Sequence, residues 1–294
     1  MKQPFSRRKL LRGAVGFAAA AALPTRALAG SAAGGSADGA GLPLSPRPFG
    51  AIGGRAFAEQ VAGLSDSARY AASVEQILAG NAPDFLRQLT PVSLAGPPGY
   101  AGPRAVTVFV TPDYLSVGSR EDFVRVPLDM PAARRLAGAL DATLPTPHLV
   151  DAIYAAAGTQ LPPAPLPPTA QMRTMGYALQ HQALIEAERG GRSITPLIAG
   201  HKKDLVLTGR LHQQGDRVAI YGWHRLTGEP IQPLSLVHGA GYADYSHGLR
   251  LVSRTALVDG EPAELLSLLA DPTIAPLLTR EGLLAGAEAL LRAG

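Results

Sequence analysis

Between positions 53 and 89 the apolar residues recur at helical spacing. Phe57, Val61 and Leu64 share one face, and Val74, Ile77 and Leu78 share another. Asn81-Ala82-Pro83 breaks that pattern and opens a further turn of helix through Asp84-Phe85-Leu86. The Gly/Pro cluster over 96–103 is a loop. The period then drops to two: residues 105–111 (AVTVFVT) alternate and are rich in β-branched side chains, which predicts a strand, with 114–117 and 123–126 as its expected partners. Pro131 opens a helix to residue 140 with Asp129 as cap, and a second helix over 148–157 follows Pro145 and Pro147.

Residues 161–168 (LPPAPLPP) hold five prolines in eight positions and must be extended. They act as a spacer between halves or as a strap across the surface; a proline-recognition ligand is the other reading of such a run. Residues 171–189 read as a helix closed by Gly190-Gly191. Strands are expected at 205–208, 217–221 and 249–253, and helices at 262–269 and 279–291. Helices and strands interleave without regular βαβ units. The expected class is therefore α+β, a mixed or antiparallel sheet core with flanking helices, in a single domain over 49–294.

The first 29 residues resemble a twin-arginine export signal. Arg7-Arg8-Lys9 is followed by an alanine-rich apolar run over 14–23 and an Ala27-Leu28-Ala29 cleavage site. Ten apolar residues ended by Pro24 are too few to span a bilayer. Residues 30–48 begin with a Gly/Ala/Ser run and read as a flexible linker. Export through the twin-arginine machinery implies a periplasmic or secreted location.

Charge then stops pointing to nucleic acid. The formal +4 includes six leader cations; without them 21 basic residues face 23 acidic ones, about −2. There is no cysteine, so thiol nucleophiles, disulfides and thiolate zinc sites are excluded.

Five of the seven histidines lie within residues 199–252, mostly at strand ends and turns. His201-Lys202-Lys203-Asp204 joins an imidazole, two cations and a carboxylate that can orient a base and pair with an anion. An exposed, solvated loop fits those four residues equally well. In Tyr221-Gly222-Trp223-His224 the only tryptophan offers a stacking platform beside a base, against the plainer reading of a core ring and a satisfied histidine.

His238 and Asp244-Tyr245-Ser246-His247 with Arg250 supply a nucleophile (Ser246), two bases, an orienting carboxylate, a phenol and an anion-binding guanidinium. Ser246 and His247 are neighbours and would face opposite sides of a strand, so His238 is the expected partner of Ser246. His148, His181 and His212 lie outside these clusters and are expected at the surface or at helix caps.

His238-Gly239 followed by Ser246-His247-Gly248 and Arg250 resembles the catalytic signature of the L,D-transpeptidases, which cross-link peptidoglycan. Their nucleophilic cysteine is replaced here by Leu249 and the spacing is shorter, so the resemblance implies at most a similar β scaffold or a cell-wall substrate. The AGHKKD, YGWH and DYSHG blocks together also resemble those of a group of uncharacterised twin-arginine-exported bacterial proteins, which ties the blocks together without supplying a mechanism.

The expected function is an exported hydrolase, or a transferase, acting on a cell-wall or extracellular polymer such as peptidoglycan or polysaccharide. His201, Asp204, His224, His238, Asp244, Ser246 and His247 would be catalytic; Lys202, Lys203, Tyr221, Trp223, Tyr245 and Arg250 would bind substrate. Ester or amide cleavage is favoured, because few acids lie near the histidines. The alternatives are a zinc hydrolase on His238, Asp244 and His247, with zinc as cofactor, and a non-catalytic periplasmic binding protein for an anionic small molecule.

Overall fold

The computed structural model describes residues 41–292, so the leader and most of the linker lie outside the described residues. The first helical stretch resolves into α1 (Gly54–Val61) and α2 (Asp66–Leu78), the latter capped by Ser65 Oγ accepting from the Ala68 amide. Phe57, Val61, Val74 and Ile77 are buried as expected, but Leu64 lies in the link between the two helices and is exposed.

Strand β1 (Thr90–Ala95) pairs antiparallel with β2 (Ala105–Val110) across the Gly/Pro loop. The segments expected to join β2 pair with each other instead, as β3 (Ser116–Gly118) and β4 (Phe123–Arg125). Helices α3 (Met130–Ala139) and α4 (Pro147–Ala156) start where proline and a capping side chain coincide. Asp129 accepts from the Ala132 amide and Thr146 from the Leu149 amide. Between them β5 (Ala142–Thr143) forms, and β6 (Thr159–Gln160) follows α4. The second half contributes α5 (Met175–Arg189), closed by Gly190 in the left-handed region. After it come the short strands β7 (Ile198–Ala199), parallel to β6, and β8 (Lys203–Leu205).

β9 (Ile220–His224), β10 (Pro230–Ser235) and β11 (His247–Gly248) complete a four-stranded sheet in the order β10-β9-β8-β11. Its pairs are antiparallel except β11 with β8, which is parallel. β12 (Val252–Val258) leaves this sheet and pairs with β2, β5 and β13 (Glu261–Glu264). Both halves of the chain thus share one sheet. The architecture is α+β with mixed sheets and flanking helices.

The chain end differs from expectation. Asp259 and Gly260, both at positive φ, form a hairpin turn that carries 261–264 back along β12, so only α6 (Leu265–Leu268) remains of the helix expected over 262–269. Gly282 and Gly286, also at positive φ, break the helix expected over 279–291, of which only α8 (Ala287–Arg292) remains, and an unexpected short helix α7 (Ala275–Leu278) precedes it.

The proline segment runs extended over the surface. Leu166 donates its amide to the Tyr245 hydroxyl (2.8 Å) and accepts back from it (3.2 Å), while the Tyr177 hydroxyl donates to the Pro167 carbonyl (2.7 Å). Among the described residues, no helix is long and apolar enough to cross a membrane.

Gly248 shows how tightly the four-stranded sheet is backed. A Cβ there would sit 2.5 Å from Tyr114 Cδ1. Gly248→Ala is therefore expected to lower unfolding stability by about 1–3 kcal/mol, measured as a reduced urea midpoint at unchanged slope.

Candidate functional site

Position 203 and position 247 are register partners on β8 and β11, and positions 204 and 248 are the next pair. Side chains alternate along a strand. Lys203 and His247 therefore share one face of the sheet, and Asp204 shares the other with the bare surface of Gly248.

On the Asp204 face, Tyr114 packs over Gly248 and donates its hydroxyl to Asp204 Oδ2 (2.9 Å). The Arg250 guanidinium stacks over the Tyr114 ring at 4.6 Å. Its Nε stands 3.8 Å from Asp204 Oδ1, close enough to pair by charge but not to hydrogen-bond. Nη1 and Nη2 of Arg250 donate to the carbonyls of Thr111 (2.5 Å) and Ile198 (2.7 Å). Burial pushes the Asp204 carboxyl up to about 6 against the pull of Arg250.

Behind this lies a web that sequence reasoning missed. Asp113 takes Arg125 Nη2 at 2.6 Å and Nε at 2.9 Å, and its other oxygen meets His201 Nε2 at 3.1 Å. Arg125 also donates to Gln182 (3.0 Å) and Glu186 (2.8 Å) on α5. Burial works to raise the Asp113 carboxyl, but the charge of Arg125 and the contact with His201 hold it well below the usual range. Burial drives His201 down to about 4 despite Asp113.

On the other face, Asp244 Oδ1 accepts from the Ser246 amide (2.8 Å) and the Ser246 hydroxyl (2.5 Å), while Oδ2 accepts from the Tyr242 hydroxyl (3.2 Å). The Ser246 hydroxyl is thus committed to Asp244. His238, its expected partner, is exposed and stacks on the Tyr242 ring at 4.0 Å. Tyr242 in turn edges against His247 at 5.7 Å.

His247 is fully buried, and neither ring nitrogen has a hydrogen-bond partner. Burial holds it down at about 4, with Asp244 pulling the other way. Asp244, which burial alone would raise, is held below the usual carboxylate range by His247, Ser246 and Lys203.

Two further groups flank the sheet. His181, expected at the surface or a cap, is completely buried on α5, because the apolar face of that helix turns inward. Its Nδ1 lies 3.5 Å from the Lys202 ammonium, which donates to the Tyr245 carbonyl at 2.6 Å. Burial and the neighbouring Arg125 push Lys202 down to about 7; burial and Lys202 push His181 to about 2. His148 and His212 stay outside the cluster, at half-buried and exposed positions.

His224 points elsewhere: Nε2 meets Asp151 Oδ1 at 3.0 Å, Tyr221 donates to the same oxygen at 2.8 Å, and Tyr154 stacks on the imidazole at 4.6 Å. The bases therefore fall into distinct groups. His201 belongs to the buried web with His181 nearby, His247 lies with Asp244 and Tyr242 on the other face of the sheet, and His224 forms a separate dyad at the half-exposed Asp151.

Asp113 and Tyr114 follow β2 after Thr111 and Pro112, within reach of the strand-end rule applied to the second half. Arg125 and His181 carried no comparable signal. Among the described residues, no group of three or more His, Asp or Glu side chains is placed to hold a metal ion; His238 stays on the surface while Asp244 and His247 turn inward. The position that carries cysteine in the transpeptidase signature is a fully buried Leu249. No known family, curated protein or solved structure matches the chain.

The buried histidines give the fold an acid limb. Held at about 4, 2 and 4 in the native state, His201, His181 and His247 bind protons more readily once unfolded, near 6.5. Stability therefore falls as pH drops from about 6.5 towards 4. Asp204, raised to about 6, works the other way, since its native carboxyl takes up a proton first. Three groups outweigh one. The urea midpoint is expected to fall between about pH 7 and pH 5, and His247→Gln to flatten that slope.

Proposed function

We propose that the protein is an exported hydrolase or transferase that acts on a cell-wall or extracellular polymer, cleaving an ester or amide bond by general acid–base catalysis at His247. The observation that carries this reading is the concentration of unpartnered buried polar atoms. His181 Nε2, His201 Nδ1, Trp223 Nε1 and both nitrogens of His247 have no hydrogen-bond partner, and Asp204 Oδ1 and Arg250 Nε have only each other at 3.8 Å. A buried donor or acceptor left unmade costs about 1–3 kcal/mol, so several in one region call for an explanation. A purely structural core would replace them with apolar side chains. Clusters of buried, shifted titratable groups are the mark of working sites.

Within the cluster His247 is the base. It is neutral at neutral pH, both nitrogens are free to take or give a proton, and Asp244 beside it stabilises the imidazolium that forms. With the Ser246 proton committed to Asp244, the nucleophile is a water or an acceptor hydroxyl deprotonated by His247. Asp204 and Asp244 engage different partners, and neither pairs with the other across an open gap. This favours acyl chemistry over the paired carboxylates of glycan cleavage.

The test compares native protein, His247→Gln and Ser246→Ala on peptidoglycan and on acylated polysaccharide, reading released acid or amine. His247→Gln is expected to lose about 100-fold or more in turnover while keeping a native circular dichroism spectrum. Ser246→Ala is expected to retain most activity. A native protein without turnover on either class, or an unimpaired His247→Gln, would sink the proposal.

A further inference from the structure

Two groups have no chemical role assigned above: Lys203, the register partner of His247, and Trp223, which packs against Tyr245. The Lys203 ammonium lies over the Trp223 ring, 5.0 Å from its centroid, and no carboxylate pairs with it among the described residues. The Trp223 indole Nε1 is buried and has no acceptor. An ammonium and an indole N–H can only donate. Together they call for an acceptor, and beside a lysine a negatively charged one.

The described residues supply it only in part, since Asp244 acts on Lys203 through charge without forming an ion pair with it. Asp244, the carboxylate whose charge Lys203 feels, already accepts from Ser246 and Tyr242. The neighbouring cations are engaged elsewhere: Lys202 with the Tyr245 carbonyl, Arg250 with two main-chain carbonyls, and Arg173 with Asp66.

The backbone is shaped to bring the Lys203 ammonium onto the indole ring. Lys203 is register partner to both His247 and Gly222, so it stands between β11 and β9. In a regular strand Trp223, one residue beyond Gly222, would project from the opposite face. Gly222 at φ 104° and Trp223 at φ 57° break that alternation and let the indole meet Lys203. A left-handed conformation at a tryptophan costs about 1–3 kcal/mol and persists only where the surroundings enforce it. Lys203 is half-exposed, so the solvent side of this corner is its own.

We propose that Lys203 and Trp223 form an oxyanion subsite beside His247 that takes a carboxylate or phosphate group of the substrate. The inference rests on the acid–base reading of His247 for identifying the ligand as a substrate, and on the two donors alone for its charge. It places the anion on Lys203 and not on Arg250, whose guanidinium is sealed inside the protein.

Trp223, the only tryptophan in the chain, is the reporter. Native protein is titrated with inorganic phosphate and, separately, with acetate, at ionic strength held constant with chloride. At least one is expected to change the Trp223 emission saturably, and the tighter of the two identifies the oxyanion the substrate carries. Lys203→Met is expected to weaken binding at least about tenfold, the loss of one charge-assisted hydrogen bond, while Lys203→Arg retains most of it.

No saturable change with either anion, or equal affinity in Lys203→Met, overturns the subsite. Lys203→Gln gives the same comparison should the methionine variant not fold. Anion binding in a protein without turnover leaves the subsite standing and removes the hydrolase reading; turnover without anion binding does the reverse.

Discussion

The Asp113–Arg125 ion pair is the joint on which the rest of the structure turns. Both side chains are completely buried, and the pair reaches three parts of the chain at once. Asp113 follows β2, Arg125 ends β4, and through Gln182 and Glu186 the same guanidinium fixes α5. The second carboxylate oxygen holds His201, and so the loop leading into β8. A buried pair of this kind contributes little net stability over apolar packing, but losing one partner costs about 3–5 kcal/mol. The pair ties the segment after β2, β4, α5 and the loop before β8 to one another through direct hydrogen bonds.

That joint determines where β8 lies, and β8 divides the cluster. Position 203 faces His247, Trp223 and the half-exposed side; position 204 faces Tyr114, Arg250 and the interior. Consecutive residues with opposite roles need a strand whose backbone cannot slip by one position. Gly248 enforces this, since the Tyr114 ring occupies the space a Cβ would fill. The cations of the HKKD block are therefore not equivalent. Lys202 is consumed inside by a main-chain carbonyl, while Lys203 remains available.

Helix starts were legible in the sequence because they have local causes. Asp129 and Thr146 cap helices whose first turns carry proline, and Gly190 ends α5. The α+β class followed from the interleaving of the two periods. Strands of the second sheet were displaced by a few residues, because Lys203, Asp204 and His224 are strand residues with polar side chains, which an apolar-run criterion trims away. Histidine spacing pointed to the segment that supplies buried polar residues such as His201, Asp204 and His247, but not to the exposure of His238 or the separate dyad of His224. What it left out, Asp113, Arg125 and His181, arrives from the first half and from a helix interior. Nothing local marks such residues; only the closure of β12 onto β2 and the packing of α5 bring them near His201 and Lys202.

The proline segment connects this web to the outside. Its Leu166 backbone satisfies both its donor and its acceptor on one hydroxyl, that of Tyr245, whose carbonyl holds Lys202 and whose ring contacts His181 and Trp223. Strap, tyrosine and lysine form one mechanical chain. Prolines restrict the backbone of this segment even in the unfolded chain, so holding it in place orders few torsions. The composition that first reads as a mere spacer thus forms a surface strap anchored on Tyr245, the residue whose carbonyl also holds Lys202.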